Sequence, residues 1–209
     1  MTRVASLLVV LLVSVAFQAQ AGVVMYTDRT GFNSLGAIAY NSNFDDFGSG
    51  FSYPGTPWTR GDVTYTSTRN LIVGTGTGYA PIRNVIVNDY WTPLTGTLAG
   101  GYDMFGFDIG WLGFASVMDV LVVTNLGSYA FNDLVVPPVS SSMTFLGYVS
   151  GSGEYITSFS ISSPGLGYAP AITDVAVGHT GAGAIPEPST VALAAGGLLA
   201  LAALRRKLR

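Results

Sequence analysis

The chain has 209 residues, no cysteine, 27 glycines, 10 prolines and only 10% charged residues, with a formal net charge of −3. This excludes disulfides, thiol catalysis and cysteine metal sites, and leaves a packed core to stabilise one globular domain flanked by processing segments. Positive charge is concentrated at the termini: between Gly22 and Ile185 four arginines and no lysine face eleven acids, a balance of −7 that repels phosphate backbones and excludes nucleic acid as a partner.

The first residues, MTRVASLLVVLLVSVAFQAQA, place Arg3 before an apolar stretch from Val4 to Phe17 and close on Ala19-Gln20-Ala21. A positive start, a short apolar run and small residues at the last and third-last places are the parts of a cleaved export leader, with Ala19 and Ala21 forming the signal peptidase site. The apolar run falls short of the ~20 residues a membrane-spanning helix needs. Cleavage after Ala21 therefore makes residues 1–21 a signal peptide.

Next, YTDRTGFNSLG predicts one or two helical turns, capped by Thr27 or Asp28 and ended by Gly31 or Gly36. From there short apolar or alternating runs are separated by Gly, Pro, Asn, Asp and Ser. DVTYTST, NLIVG, NVIVN, MTFLGYVS and ITDVAVG all read as strands. In MFGFDIGWLGF, period two puts Phe105, Phe107, Ile109 and Trp111 on one face, opposite Met104, Gly106, Asp108 and Gly110. VMDVLVVTN is almost continuously apolar and is expected to be a central strand covered on both faces. YITSFSISS alternates again. About eight strands with regular turn signals predict an all-β, antiparallel β-sandwich, jelly-roll-like in order.

Catalytic sets are scarce. The single histidine, His179, stands at the end of the strand-rich region, no Gly-x-Ser-x-Gly elbow occurs, and the Gly-rich VGTGTGYAP has no lysine after it. One histidine cannot build a three-histidine zinc site. Acids are the remaining chemistry. Asp45 and Asp46 in a glycine-rich loop, with Asp174 as a third, would suit calcium, which takes loop oxygens without needing histidine; no other cofactor is expected. A glycan-active hydrolase or lyase would need two facing carboxyls ~5 to 10 Å apart, drawn from Asp45-Asp46, Asp103 and Asp108 on one strand, Glu154 in a turn and Asp174. Tyr53, Trp58, Tyr90 and Trp91 lie in Pro- and Gly-containing loops and are the candidate glycan contacts, because flat rings stack on sugar faces.

After the last strand, residues 179–185 are small and aperiodic and read as a flexible spacer. The chain then runs IPEPSTVALAAGGLLALAALRRKLR. Pro186 and Pro188 hold Glu187 on an extended stalk. Val191 to Leu204 would make a short, marginal membrane helix, and Arg205, Arg206, Lys207 and Arg209 would keep the end cytoplasmic. This ordered triad, apolar helix and basic terminus resembles the PEP-CTERM sorting signal of Gram-negative bacteria. The resemblance implies that an exosortase recognises Pro186, Glu187 and Pro188, cuts near them and passes the domain on. The inner membrane would then be a way station before the cell surface or the exopolysaccharide matrix.

The expected organisation is thus a signal peptide at 1–21, a β-sandwich ectodomain at 22–178, a spacer at 179–185 and a sorting signal at 186–209. The leading function is that of an exported, non-catalytic surface or matrix protein with affinity for carbohydrate. A glycan-active enzyme that uses only acidic residues is the alternative.

Overall fold

Alternating side chains across extended segments fold here into two stacked antiparallel sheets. The computed structural model describes residues 22–76, 80–88, 92–111, 116–139, 142–163 and 170–181, all within the unit Gly22–Ala184. The leader and the sorting tail lie outside the described residues. No helix among the described residues is long and apolar enough to cross a membrane.

The elements in chain order are β1 (Val24–Tyr26), α1 (Arg29–Asn33), β2 (Gly36–Ser42), β3 (Gly50–Ser52), β4 (Trp58–Arg60), β5 (Val63–Thr66), β6 (Leu71–Gly76), β7 (Ala80–Asn88) and β8 (Leu94–Leu98). They continue with β9 (Met104–Trp111), β10 (Ser116–Thr124), β11 (Ser128–Val136), β12 (Thr144–Val149), β13 (Ile156–Ser162) and β14 (Pro170–Thr180). An eight-stranded sheet runs β1-β12-β9-β14-β7-β6-β3, with β2 also paired to β14, and a six-stranded sheet runs β11-β10-β13-β8-β5-β4. From β7 onward the chain changes sheet at nearly every connection. That crossing is the jelly-roll-like order expected of the sequence.

The core lies between the sheets. As the alternation predicts, Phe105, Phe107, Ile109 and Trp111 all point into it. Phe105 stacks on Phe159 of β13 with ring centroids 4.6 Å apart, and Phe131 of β11 sits 4.9 Å from Tyr148 of β12. Strand β10 departs from its expectation: Met118, Val120 and Val122 are buried, but Leu121 on the other face is exposed. A continuously apolar run therefore served a one-sided strand. Its neighbours on that outer face, Thr95, Thr97, Ser158 and Ser160, are polar enough to stand in water.

The outer face of the eight-stranded sheet is covered at one end by α1. Asp28 caps this helix, accepting from the backbone N–H groups of Thr30 and Gly31 at 3.3 and 2.6 Å, so the start signal in the sequence is correct. Phe32 is fully buried against Phe145, and both rings fill space that a side chain at Gly147 would occupy. Arg29 ties the helix to the sheet, donating to Asp108 Oδ1 at 2.9 Å and to the carbonyl of Asp174 at 3.1 Å, with its guanidinium 4.4 Å above the Phe145 ring. Asp174 has φ 47° and stands where the β14–β9 register slips between Thr173 and Ala176, a bulge. Arg29 thus pins that bulge from outside.

Two core tyrosines carry a measurable liability. The hydroxyls of Tyr65 and Tyr148 are buried and have no hydrogen-bond partner among the described residues, and burial pushes both phenols well above the usual tyrosine range. Unfolded tyrosine ionises near about 10. The stability from keeping these groups neutral is therefore fully present below that pH and is lost as pH rises beyond it. Tyr148→Phe removes an unpaired buried hydroxyl, so urea denaturation should show it unchanged or about 1 kcal/mol more stable at pH 7. Its loss of stability between pH 8 and 11 should also be shallower than that of the parent; an equally steep loss would contradict the burial of this hydroxyl.

Candidate functional site

The edge strand β3 lays Phe51 along the outer face of the eight-stranded sheet. Phe51 pairs with Gly74 of β6, which in turn pairs with Val85 of β7, and Ile72 pairs with Val87. A Cβ at Gly74 would fall 2.9 Å from Cδ1 of Phe51 and 2.3 Å from the carbonyl oxygen of Gly50, so only glycine there lets the Phe51 ring lie across the sheet. Together with Tyr53, just past the strand, these residues line a shallow apolar groove of about 80 Å³. Its aromatic walls are open to solvent, Phe51 by 49% and Tyr53 by 63%.

The floor is firmer than the walls. Val85 and Val87 belong to a buried cluster with Val139 and Ala171, against which Ile72 and Met143 pack. A rigid apolar floor and two exposed rings suit the CH-rich face of a neutral ring compound. Among the described residues, those that line the groove are apolar or aromatic.

Of the two sequence-predicted glycan contacts among the described residues, Tyr53 falls in this groove and Trp58 does not. Trp58 is turned into the sandwich, with ring centroids 6.1 Å from Phe44, 5.5 Å from Phe47 and 5.9 Å from Tyr65. Its neighbour in register is the buried Tyr65, which puts Trp58 on the inner face of its sheet. Tyr90 and Trp91 lie outside the described residues, as do Ala19, Ala21, Pro186, Glu187, Pro188, Arg205 and Arg206. Phe51 was overlooked, although it stands two residues before Tyr53 and period two places both on one face.

The acids are engaged elsewhere. Asp46 takes both terminal nitrogens of Arg60, one at 3.0 Å, and these hydrogen bonds hold its carboxyl below the usual range. The same guanidinium lies over Phe44 and Phe47, and its Nε donates to Ser42 at 2.6 Å. Asp45 accepts from the side-chain amide of Asn43 at 2.6 Å, and Asp174 sits in the β14 bulge. Among the described residues no group of three or more acidic or histidine side chains is placed to hold a metal.

Asp103 accepts from the backbone N–H and the hydroxyl of Thr180 at 2.8 and 2.6 Å, and His179 Nδ1 lies 3.9 Å away. Asp108 is held by Arg29 five residues further on, about 16 Å at the rise of a strand. That exceeds the ~5 to 10 Å separation of a glycosidase pair. His179 and Thr180 belong to β14, paired with Ala37 and Gly36 of β2, so the last strand runs two residues past the expected boundary at 178.

Comparison with known proteins adds three findings. Residues 184–207 match the PEP-CTERM protein-sorting motif. No curated protein matches the sequence. Among solved structures, the chain is similar to family 29 carbohydrate-binding modules. One, a mutant made to probe ligand recognition, has a TM-score of 0.38 at 12% identity, over 63% of this chain and 94% of that one. A second mutant has a TM-score of 0.38 at 13% identity, over 66% and 98%. An unmutated module has a TM-score of 0.37 at 13% identity, over 66% and 94%.

Proposed function

We propose that this PEP-CTERM domain-containing chain is an exported, non-catalytic protein, delivered by an exosortase to the cell surface or exopolysaccharide matrix. There its ectodomain holds neutral carbohydrate in the Phe51–Tyr53 groove. The sorting motif supports export and exosortase handling. The groove is the observation that carries the binding reading: two solvent-open rings stand above a buried aliphatic floor.

Acidic charge fits a neutral sugar rather than an anionic one, since the ectodomain's balance of −7 repels polyanions. The carboxylates that a hydrolase or lyase would use already carry structural duty in pinning helix α1 and the end of β14. The reading is therefore of a binding module and not of an enzyme.

Titration of the processed chain with the producing organism's neutral exopolysaccharide tests this. Tyr53→Ala should weaken binding about tenfold or more, as truncation of an aromatic anchor does, and leave the melting temperature unchanged because the ring is exposed. Equal affinity in parent and variant would remove the groove from the account. New reducing ends during the incubation would restore the enzymatic alternative.

A further inference from the structure

We propose that removal of the leader supplies the missing partner of a buried carboxylate: the new α-ammonium group of Gly22 pairs with Glu154. The proposal rests on the leader being cut after Ala21, and it goes beyond sorting and sugar binding.

Glu154 is only 3% exposed. Its Oε1 accepts from the hydroxyls of Thr124 and Tyr129, the latter at 2.8 Å, and the hydrogen bond to Glu154 holds the Tyr129 phenol above the usual tyrosine range. Its Oε2 is buried and has no partner among the described residues. A buried carboxylate with one unmatched oxygen is costly unless a cation or donor meets it.

The backbone brings the chain's start to this place. Val24 of β1 pairs with Val149 of β12, and continuing that antiparallel register by two residues would bring Gly22 opposite Gly151. Gly151 opens the tight loop that carries Glu154: the Glu154 N–H donates to the Gly151 carbonyl at 3.0 Å, and the Ser150 hydroxyl donates to the Glu154 carbonyl at 2.7 Å. Gly22 also lies on the ring whose hydroxyl holds Glu154. A Cβ at residue 22 would be 3.2 Å from Tyr129 Cε1. Lysine does not occur between Gly22 and Ile185, so the ectodomain has no flexible ammonium of its own to offer.

In the precursor, the Gly22 nitrogen is an uncharged amide. Hydrolysis adds water across the Ala21–Gly22 bond, the carboxylate departs with the leader, and the freed amine takes up a proton to become an ammonium. Charge thus appears beside Glu154 only in the exported chain, and maturation completes the loop that joins the two sheets.

The test begins with the mass of the N-terminal peptide, which must start at Gly22; any other start overturns the proposal through the leader reading. The processed chain is then acetylated at its α-amine, its one remaining amine once the sequence's single lysine, Lys207, has left with the sorting tail. Acetylation should raise the unfolding equilibrium constant about tenfold or more, and change it by less than about twofold in the Glu154→Gln chain. Equal effects in both chains would overturn the ion pair and leave the leader reading intact. Should Glu154→Gln fail to fold, the acetylation rate of the parent decides. It should be at least tenfold slower in native than in urea-unfolded protein, and equal rates refute the pairing.

Discussion

A chain carrying Glu187→Ala should accumulate in the inner membrane as unprocessed precursor, with essentially none reaching the surface. The PEP-CTERM match covers residues 184–207 and so includes the triad, the apolar run and the basic end. Glu187 is the one charged residue that the sequence places between the last strand and the basic end, which makes its carboxylate the charge available for recognition. Loss of that charge removes a specific contact and not a fold, because the triad follows the last strand. The effect should therefore be close to all-or-none on processing and negligible on ectodomain stability. Fractionation followed by immunoblotting reads both the size and the location. Normal release of the variant would show that the glutamate is not read.

The largest effect on stability is expected at the centre of the sandwich. Phe159 is 2% exposed and meets Phe105 at 4.6 Å, Phe107 at 6.2 Å and Tyr65 at 6.4 Å. It therefore joins rings from both sheets. Phe159→Ala should cost about 3 to 5 kcal/mol, a large share of the roughly 5 to 15 kcal/mol typical of a domain. Gly96 of β8 lies beneath this ring, and a Cβ there would fall 2.3 Å from Phe159 Cε1. Gly96→Ala alone should thus cost about 1 to 3 kcal/mol by overpacking. In the double variant the new methyl enters the space the ring has left, so the combined loss should be smaller than the sum of the two. Urea midpoints of the four proteins measure the coupling. Strict additivity would mean that the ring and the glycine do not meet.

These two results rest on parts of the chain that differ in how plainly the sequence speaks. The sandwich was legible because Phe105, Phe107, Ile109 and Trp111 alternate without interruption and all enter the core. The cap at Asp28 was legible for the same local reason. Strand β11, SYAFNDLVV, was not, since Asp133 at φ 56° breaks its alternation with a bulge opposite Asp119. Strands β2 and β8, with Ala, Asn and Gly among their residues, offer little strand propensity and are held by pairing to β14 and β13.

The candidate site was half legible. Tyr53 could be picked out as a loop aromatic, but Ile72, Val85 and Val87 looked like ordinary core. Which face of a strand meets the second sheet is decided by long-range packing, and these valines lie on the outer one. Trp58 misled for the opposite reason, because a proline- and glycine-framed segment still turned its ring inward. The partners of the acids could not be read from the sequence, because Arg60 lies far along the chain from Asp46, and Arg29 from Asp108.

The intact mass of the protein recovered from the cell surface tests the whole account most directly. The predicted species begins at Gly22 and ends close to Pro186–Pro188, without the apolar run and without Arg205 and Arg206. A surface molecule that still carries its basic terminus would contradict the account.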